Sequence, residues 1–182
     1  MRTELRGTAT FTAETVAERA DCSPATFYSH FGTKDDALAA AFEQTLAELV
    51  DMSTGALTTE AFVVDGVDAT MVAFVADQAR FFRRESLVFR AALSRLSHHR
   101  PLRDAYRDAE RRTLAHLVEV FGQLADAGLI SPTEPAGRAE AFMIASQGIN
   151  NPRALAPPAD QVRSSLARGL SGILAHDGGA HD

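Results

Sequence analysis

Residues 22–34 read CSPATFYSHFGTK, and within them Thr26, Tyr28, Ser29, His30 and Lys34 supply hydroxyls, hydrogen-bonding rings and a cation. These are groups that can grip a polyanion. Residues turn about 100° apart along a helix, so over 24–31 Phe27 and Phe31 share one face while Ala25 and Ser29 share the opposite one. Thr26 and His30 fall on one shoulder, Pro24 and Tyr28 on the other. Such a helix is held down by two rings and presents a crest of small residues. Its shape suits a DNA major groove, with the crest near base edges and the shoulders near phosphates. Lys34 stands at the next helix start, where a cation and free backbone N–H groups can hold a phosphate together. On the residues alone a second reading stands beside this one: Tyr28 and His30 as ordinary partly buried rings, and Thr12, Ser23 and Thr33 as helix caps.

Helices are what position these side chains. Thr12 caps a short helix over 13–20 with Val16, Ala17 and Ala20 inward. Ser23-Pro24 starts the next, because the serine hydroxyl accepts a free N–H and proline at the first position has none to waste. Gly32 ends it, Thr33 caps a third over 34–52, and Leu38, Phe42, Leu46 and Leu49 make that helix amphipathic. After STGALTTE an inner stripe begins with Val67, Met71, Phe74 and Val75, and further helices are predicted over 86–98, 101–128, 135–150 and 159–176. Arg100-Pro101, SPTEP (131–135) and NNPRALAPP (150–158) separate them. Alternating β patterns are almost absent, and the fold class is all-α. Two short helices and a tight turn under a long helix form the outline of a helix-turn-helix DNA reader.

Composition narrows the function. The chain has 182 residues, a net charge of −6, 46% hydrophobic and 23% charged residues, as a folded domain has. No apolar run approaches the roughly 18 residues of a membrane span, and MRTELRGTAT is no signal peptide, so a cytoplasmic location without membrane attachment is expected. The one cysteine, Cys22, allows neither an internal disulfide nor a cysteine metal cluster. His98-His99 points its two rings about 100° apart with no acid or thiol at ligand spacing, and reads as a surface or helix-end pair. No Ser/His/Asp set, carboxylate pair or phosphate-cradling loop is found, so no enzyme activity, cofactor or metal is expected.

The run FTAETVAERADCSPATFYSHFGTKDDAL (11–38) resembles the DNA-binding signature of the TetR family of bacterial transcriptional regulators. Thr12, Val16-Ala17, Ala20-Asp21-Cys22-Ser23, Ala25 to Phe31 and Lys34 to Leu38 carry the likeness. It implies a helix-turn-helix domain over 1–48 and an effector-binding and dimerisation domain over 49–182. It also implies a homodimer on double-stranded DNA at a palindromic operator, with contacts from Thr12, Ser23, Pro24, Ala25, Thr26, Tyr28, Ser29, His30 and Lys34. Asp21 replaces the turn glycine, while Cys22 for valine and Asp35 for glutamate keep approximate size or charge. Gly7 aligns with the end of the family's first helix, leaving MRTELR in its place. Residues 1–50 carry four Lys/Arg against eight acids, a poor balance for DNA. The expectation is that the chain starts at an internal methionine of a longer regulator, the other reading being a DNA-binding domain that has decayed.

Farther on, Met71, Phe74, Gln78, Phe89, Tyr106, Leu117, Phe121, Phe142 and Gln147 read either as core or, on the resemblance, as the lining of a site for a small apolar effector, with Arg90, His98 and Asn150 as further polar anchors. Ala141, Ala145 and Gly148, then Ser165, Gly169 and Gly172, mark two helices for close approach, accompanied by Val162, Leu166, Leu170 and Ile173. The resemblance makes these a homodimer interface; packing within the chain is the other reading. The function implied is a ligand-responsive repressor released from its operator by its effector. The alternative is a homodimer that binds a small molecule or a partner but binds DNA weakly or not at all. Salt-sensitive, sequence-preferring binding to the DNA flanking its own gene by an upstream-extended chain alone would support the internal start. Binding by neither in a salt series favours the alternative.

Overall fold

The computed structural model describes residue 31, residues 33–132 and residues 134–175, and all regular structure among them is helical. The helix expected over 13–20 and residues 24–30 of the one expected over 24–31 lie outside the described residues, and residue 31 is in no helix. The first described helix, α1, is Lys34–Ala56. It runs past the expected end at 52 because its hydroxyl residues do not break it. Thr45, Ser53 and Thr54 donate back to the carbonyls of Ala41, Leu49 and Val50 at 2.8, 2.7 and 2.9 Å, a pattern that lets Ser and Thr sit inside a helix. Thr58 then accepts from the Ala61 N–H at 3.1 Å and caps α2 (Thr59–Asp65). Gly66, at φ +81°, turns the chain into α3 (Val67–Arg84), a conformation that a residue with a Cβ adopts only under strain.

Helix α4 (Ser86–Leu93) stops short of the predicted 98. Ser94 Oγ and an Arg95 guanidinium N–H both donate to the Ala91 carbonyl at 2.9 Å, and tighter turns follow. Arg103 closes that stretch by donating to the carbonyls of Leu96 and Ser97 at 3.0 and 3.1 Å. Helix α5 (Arg100–Asp126) ends before Gly128, at φ +70°. Helix α6 (Pro135–Ser146) tightens into a 3₁₀ turn, Gln147–Asn150. Within the predicted break, Asn151 Oδ1 accepts from the Arg153 N–H at 2.9 Å and starts the single turn α7 (Pro152–Leu155). Helix α8 is Asp160–Leu174.

The chain divides into two compact units, Met1–Ala47 with Glu85–Arg107, and Glu48–Arg84 with Asp108–Asp182. In the first, Leu38, Phe42, Ala92 and Leu102 are sealed from solvent. Phe42 meets Phe89 edge-on at 5.5 Å between ring centroids and lies parallel to Tyr106 at 6.4 Å. In the second, α3 is the central element and receives α2, the 3₁₀ turn, α7 and α8. Phe142 stands between Phe74 and Phe121, 5.7 and 5.5 Å away. Gln78, also buried, donates its amide N–H to Ser53 Oγ at 3.0 Å. No buried side-chain nitrogen or oxygen among the described residues lacks a partner, so the interior carries no polar cost left uncompensated. Arg138 of α6 reaches the Ile173 carbonyl of α8 at 2.5 Å.

Phe142 is 1% exposed and Val64 is 73% exposed. Phe142→Ala is expected to cost about 3–5 kcal/mol of unfolding free energy and Val64→Ala less than about 0.5 kcal/mol, read from denaturant midpoints.

Candidate functional site

Of the predicted DNA contacts, Thr12, Ser23, Pro24, Ala25, Thr26, Tyr28, Ser29 and His30 lie outside the described residues. Lys34 is the one within them, half-buried at the start of α1. Its surroundings are defined. Thr33 Oγ1 accepts from the Asp36 N–H at 3.1 Å and donates to Asp36 Oδ2 at 2.7 Å, so cap and carboxylate close on each other. Asp35 is taken by Arg95, whose Nε stands 3.2 Å from Oδ1. The helix start therefore combines one cation with two carboxylates, Asp35 neutralised and Asp36 facing the free N–H groups it favours. A phosphate arriving there meets Lys34 as a point charge and must displace or share the place of Asp36.

The nine residues read as an effector lining are divided. Phe89 and Tyr106 belong to the first unit and pack on Phe42. Met71, Phe74, Gln78, Leu117, Phe121 and Phe142 are buried in the second unit. There the three phenylalanines contact one another in sequence, and the Gln78 amide is engaged by Ser53. Gln147 is exposed and donates to Glu110 Oε1 at 3.3 Å. Among the further polar anchors, Arg90 and His98 are exposed and Asn150 half-buried.

The last two helices divide their residues sharply by face. Ala167, Leu170 and Leu174 are buried, and α8 packs on α3 and α6. On the other side Ile144 is 65% and Val162 40% exposed, while Ala141, Ala145, Gly148, Ser165, Gly169 and Gly172 are exposed as well. A groove of about 490 Å³ runs here past Ala145, Val162, Ser165, Leu166 and Gly169. A Cβ built on Gly148 meets Leu166 at an ordinary 3.6 Å, and one built on Gly169 or Gly172 meets nothing within 4 Å. Packing among the described residues gives no reason for glycine at 169 and 172.

Some residues that position the site had no sequence signal. Nothing in the sequence pairs Arg95 with Asp35. Nor does it show that the half-buried His116 ring reaches the Leu57 carbonyl, 2.8 Å from Nε2, at the end of α1. Among the described residues no three His, Cys, Asp or Glu side chains are placed to hold a metal, and no helix is long and apolar enough to cross a membrane.

Residues 4–41 match the family described as bacterial regulatory proteins, tetR family. No curated protein matches the chain. Thr33, Lys34, Asp35 and Asp36 fall inside the matched segment. Thr33→Ala removes the cap and is expected to cost about 1 kcal/mol, measured by chemical denaturation. Thr33→Asn is expected to keep most of it.

Proposed function

We infer that this chain is a tetR-family regulator, a cytoplasmic homodimer that represses transcription from a palindromic operator and leaves the DNA when a small apolar effector binds. The observation that carries the DNA half is the match over residues 4–41. The contacts proposed are Thr12, Ser23, Pro24, Ala25, Thr26, Tyr28, Ser29, His30 and Lys34, with Ala25 and Ser29 nearest the bases and Lys34 on a phosphate. Two copies related by a two-fold axis present two such helices to successive half-sites.

The dimer reading is supported by the exposed face of α6 and α8. An interior glycine costs a helix about 1 kcal/mol against alanine. Gly169 and Gly172 carry that cost with open space around them, which a second copy approaching closely accounts for. Ile144 and Val162 supply apolar area to the same face.

The effector reading rests on Met71, Phe74, Gln78, Leu117, Phe121 and Phe142 of the second unit, with Phe89, Tyr106 and Gln147 as the other residues proposed. A ligand entering among Phe74, Phe121 and Phe142 parts rings that now touch. It also offers Gln78 a partner in place of Ser53. Release from DNA then follows from tighter effector binding to a conformation whose recognition helices no longer fit the half-sites. The second reading, a homodimer with weak or no DNA binding, is favoured by one feature, the Asp36 carboxylate closed on the helix start beside Lys34.

Ile144→Glu and Gly169→Glu are expected to convert the dimer to monomer in sedimentation velocity and to lower affinity for the DNA flanking its own gene by at least about tenfold, since each half-site then binds alone. A monomeric wild-type chain at tens of micromolar, or a monomeric variant with undiminished affinity, contradicts the dimer. Wild-type dimer without salt-sensitive binding to that DNA selects the second reading.

A further inference from the structure

The acid excess of residues 1–50 describes a stretch of sequence, while the compact unit that includes the matched segment has another balance. Met1–Ala47 and Glu85–Arg107 together hold nine Lys/Arg and nine Asp/Glu, and the other unit holds nine against fifteen. The whole net charge of −6 therefore sits on the second unit. Glu85–Arg107 makes the difference, contributing Arg90, Arg95, Arg100, Arg103 and Arg107 against Glu85 and Asp104.

This segment is fastened to α1, whose first residues fall in the match. Arg95 pairs with Asp35 at 3.2 Å, and Phe89 and Tyr106 rest on Phe42. Arg90 and Arg107 each follow one of these rings in sequence. About 100° of helix turn carries them away from the cluster, and both are exposed. Among the described residues neither guanidinium forms a hydrogen bond or an ion pair. Arg103 spends its contacts on the Leu96 and Ser97 carbonyls, which leaves its charge without a carboxylate. The Arg100–Asp104 pair is 83% and 57% exposed, an arrangement that holds little in water.

We propose that Glu85–Arg107 is a second DNA-contacting surface, with Arg90 and Arg107 on backbone phosphates of the duplex that the N-terminal segment reads. The proposal rests on the DNA-binding reading above. It assigns to this segment the phosphate neutralisation that the acidic first fifty residues lack. Such contacts carry no base preference, and they leave their mark in the salt dependence.

The test uses the full chain, a duplex of the DNA flanking its own gene and a scrambled duplex of the same length, in a fluorescence-anisotropy salt series. R90Q/R107Q is expected to weaken binding to both duplexes by the same factor and to lower the slope of log K against log salt by about 1.8. The gap to wild type then narrows roughly tenfold between 50 and 200 mM salt. R90K/R107K, which keeps the point charges, is expected to retain most of the slope. R80Q/R153Q removes two exposed cations from the other unit and is expected to leave the slope unchanged; a loss equal to that of R90Q/R107Q attributes the effect to net charge and overturns the proposal. Wild-type affinity and slope in a folded R90Q/R107Q, with binding lost in Tyr28→Ala, overturns the second surface alone. Wild type with no salt-sensitive binding to either duplex overturns it together with the DNA-binding reading.

Discussion

Phe42 is the contact on which the first unit depends. Fully buried, it has Phe89 edge-on and Tyr106 parallel to it, and so brings a helix from the N-terminal matched segment against two elements far along the chain. A buried aromatic side chain contributes about 1.5–3 kcal/mol through area alone, and ring pairs add to it. The geometric result matters more for function. Because Phe89 and Tyr106 face Phe42, their neighbours Arg90 and Arg107 face solvent, and a segment rich in arginine shares a unit with the matched N-terminal segment.

The second unit is organised around α3, with α8 laid upon it. Ala167, Leu170 and Leu174 satisfy that packing. The opposite face of α8 keeps two glycines with nothing near them, and α6 adds an exposed isoleucine. A chain folding alone gains nothing from that face. The same helix thus closes the interior on one side and presents small and apolar residues on the other.

Much of this was legible in the residues. Ser, Thr and Pro at helix starts, glycine at their ends and apolar periodicity gave the all-helical class and the third helix start at Lys34, where Thr33 does cap. Helix ends were less legible. Hydroxyls at 53 and 54 bond within the helix instead of ending it, and Asn151-Pro152 starts a turn inside a stretch rich in prolines. Periodicity states that Phe42 points inward without stating what it meets, so the Phe89 and Tyr106 contacts and the Asp35–Arg95 pair needed the fold. For the same reason the nine effector candidates, read as one set from their apolar character, are distributed over both units. Charge summed over the first fifty residues likewise leaves out the arginines of 85–107, which belong to the same unit as 1–47.

The central claim is that two copies of this chain act together on one duplex. Sedimentation equilibrium of the full chain with a duplex of the DNA flanking its own gene measures it directly. The account predicts a complex with the mass of two chains and one duplex that dissociates as salt is raised. A complex of one chain per duplex, or sedimentation of chain and duplex as separate species at low salt, contradicts it.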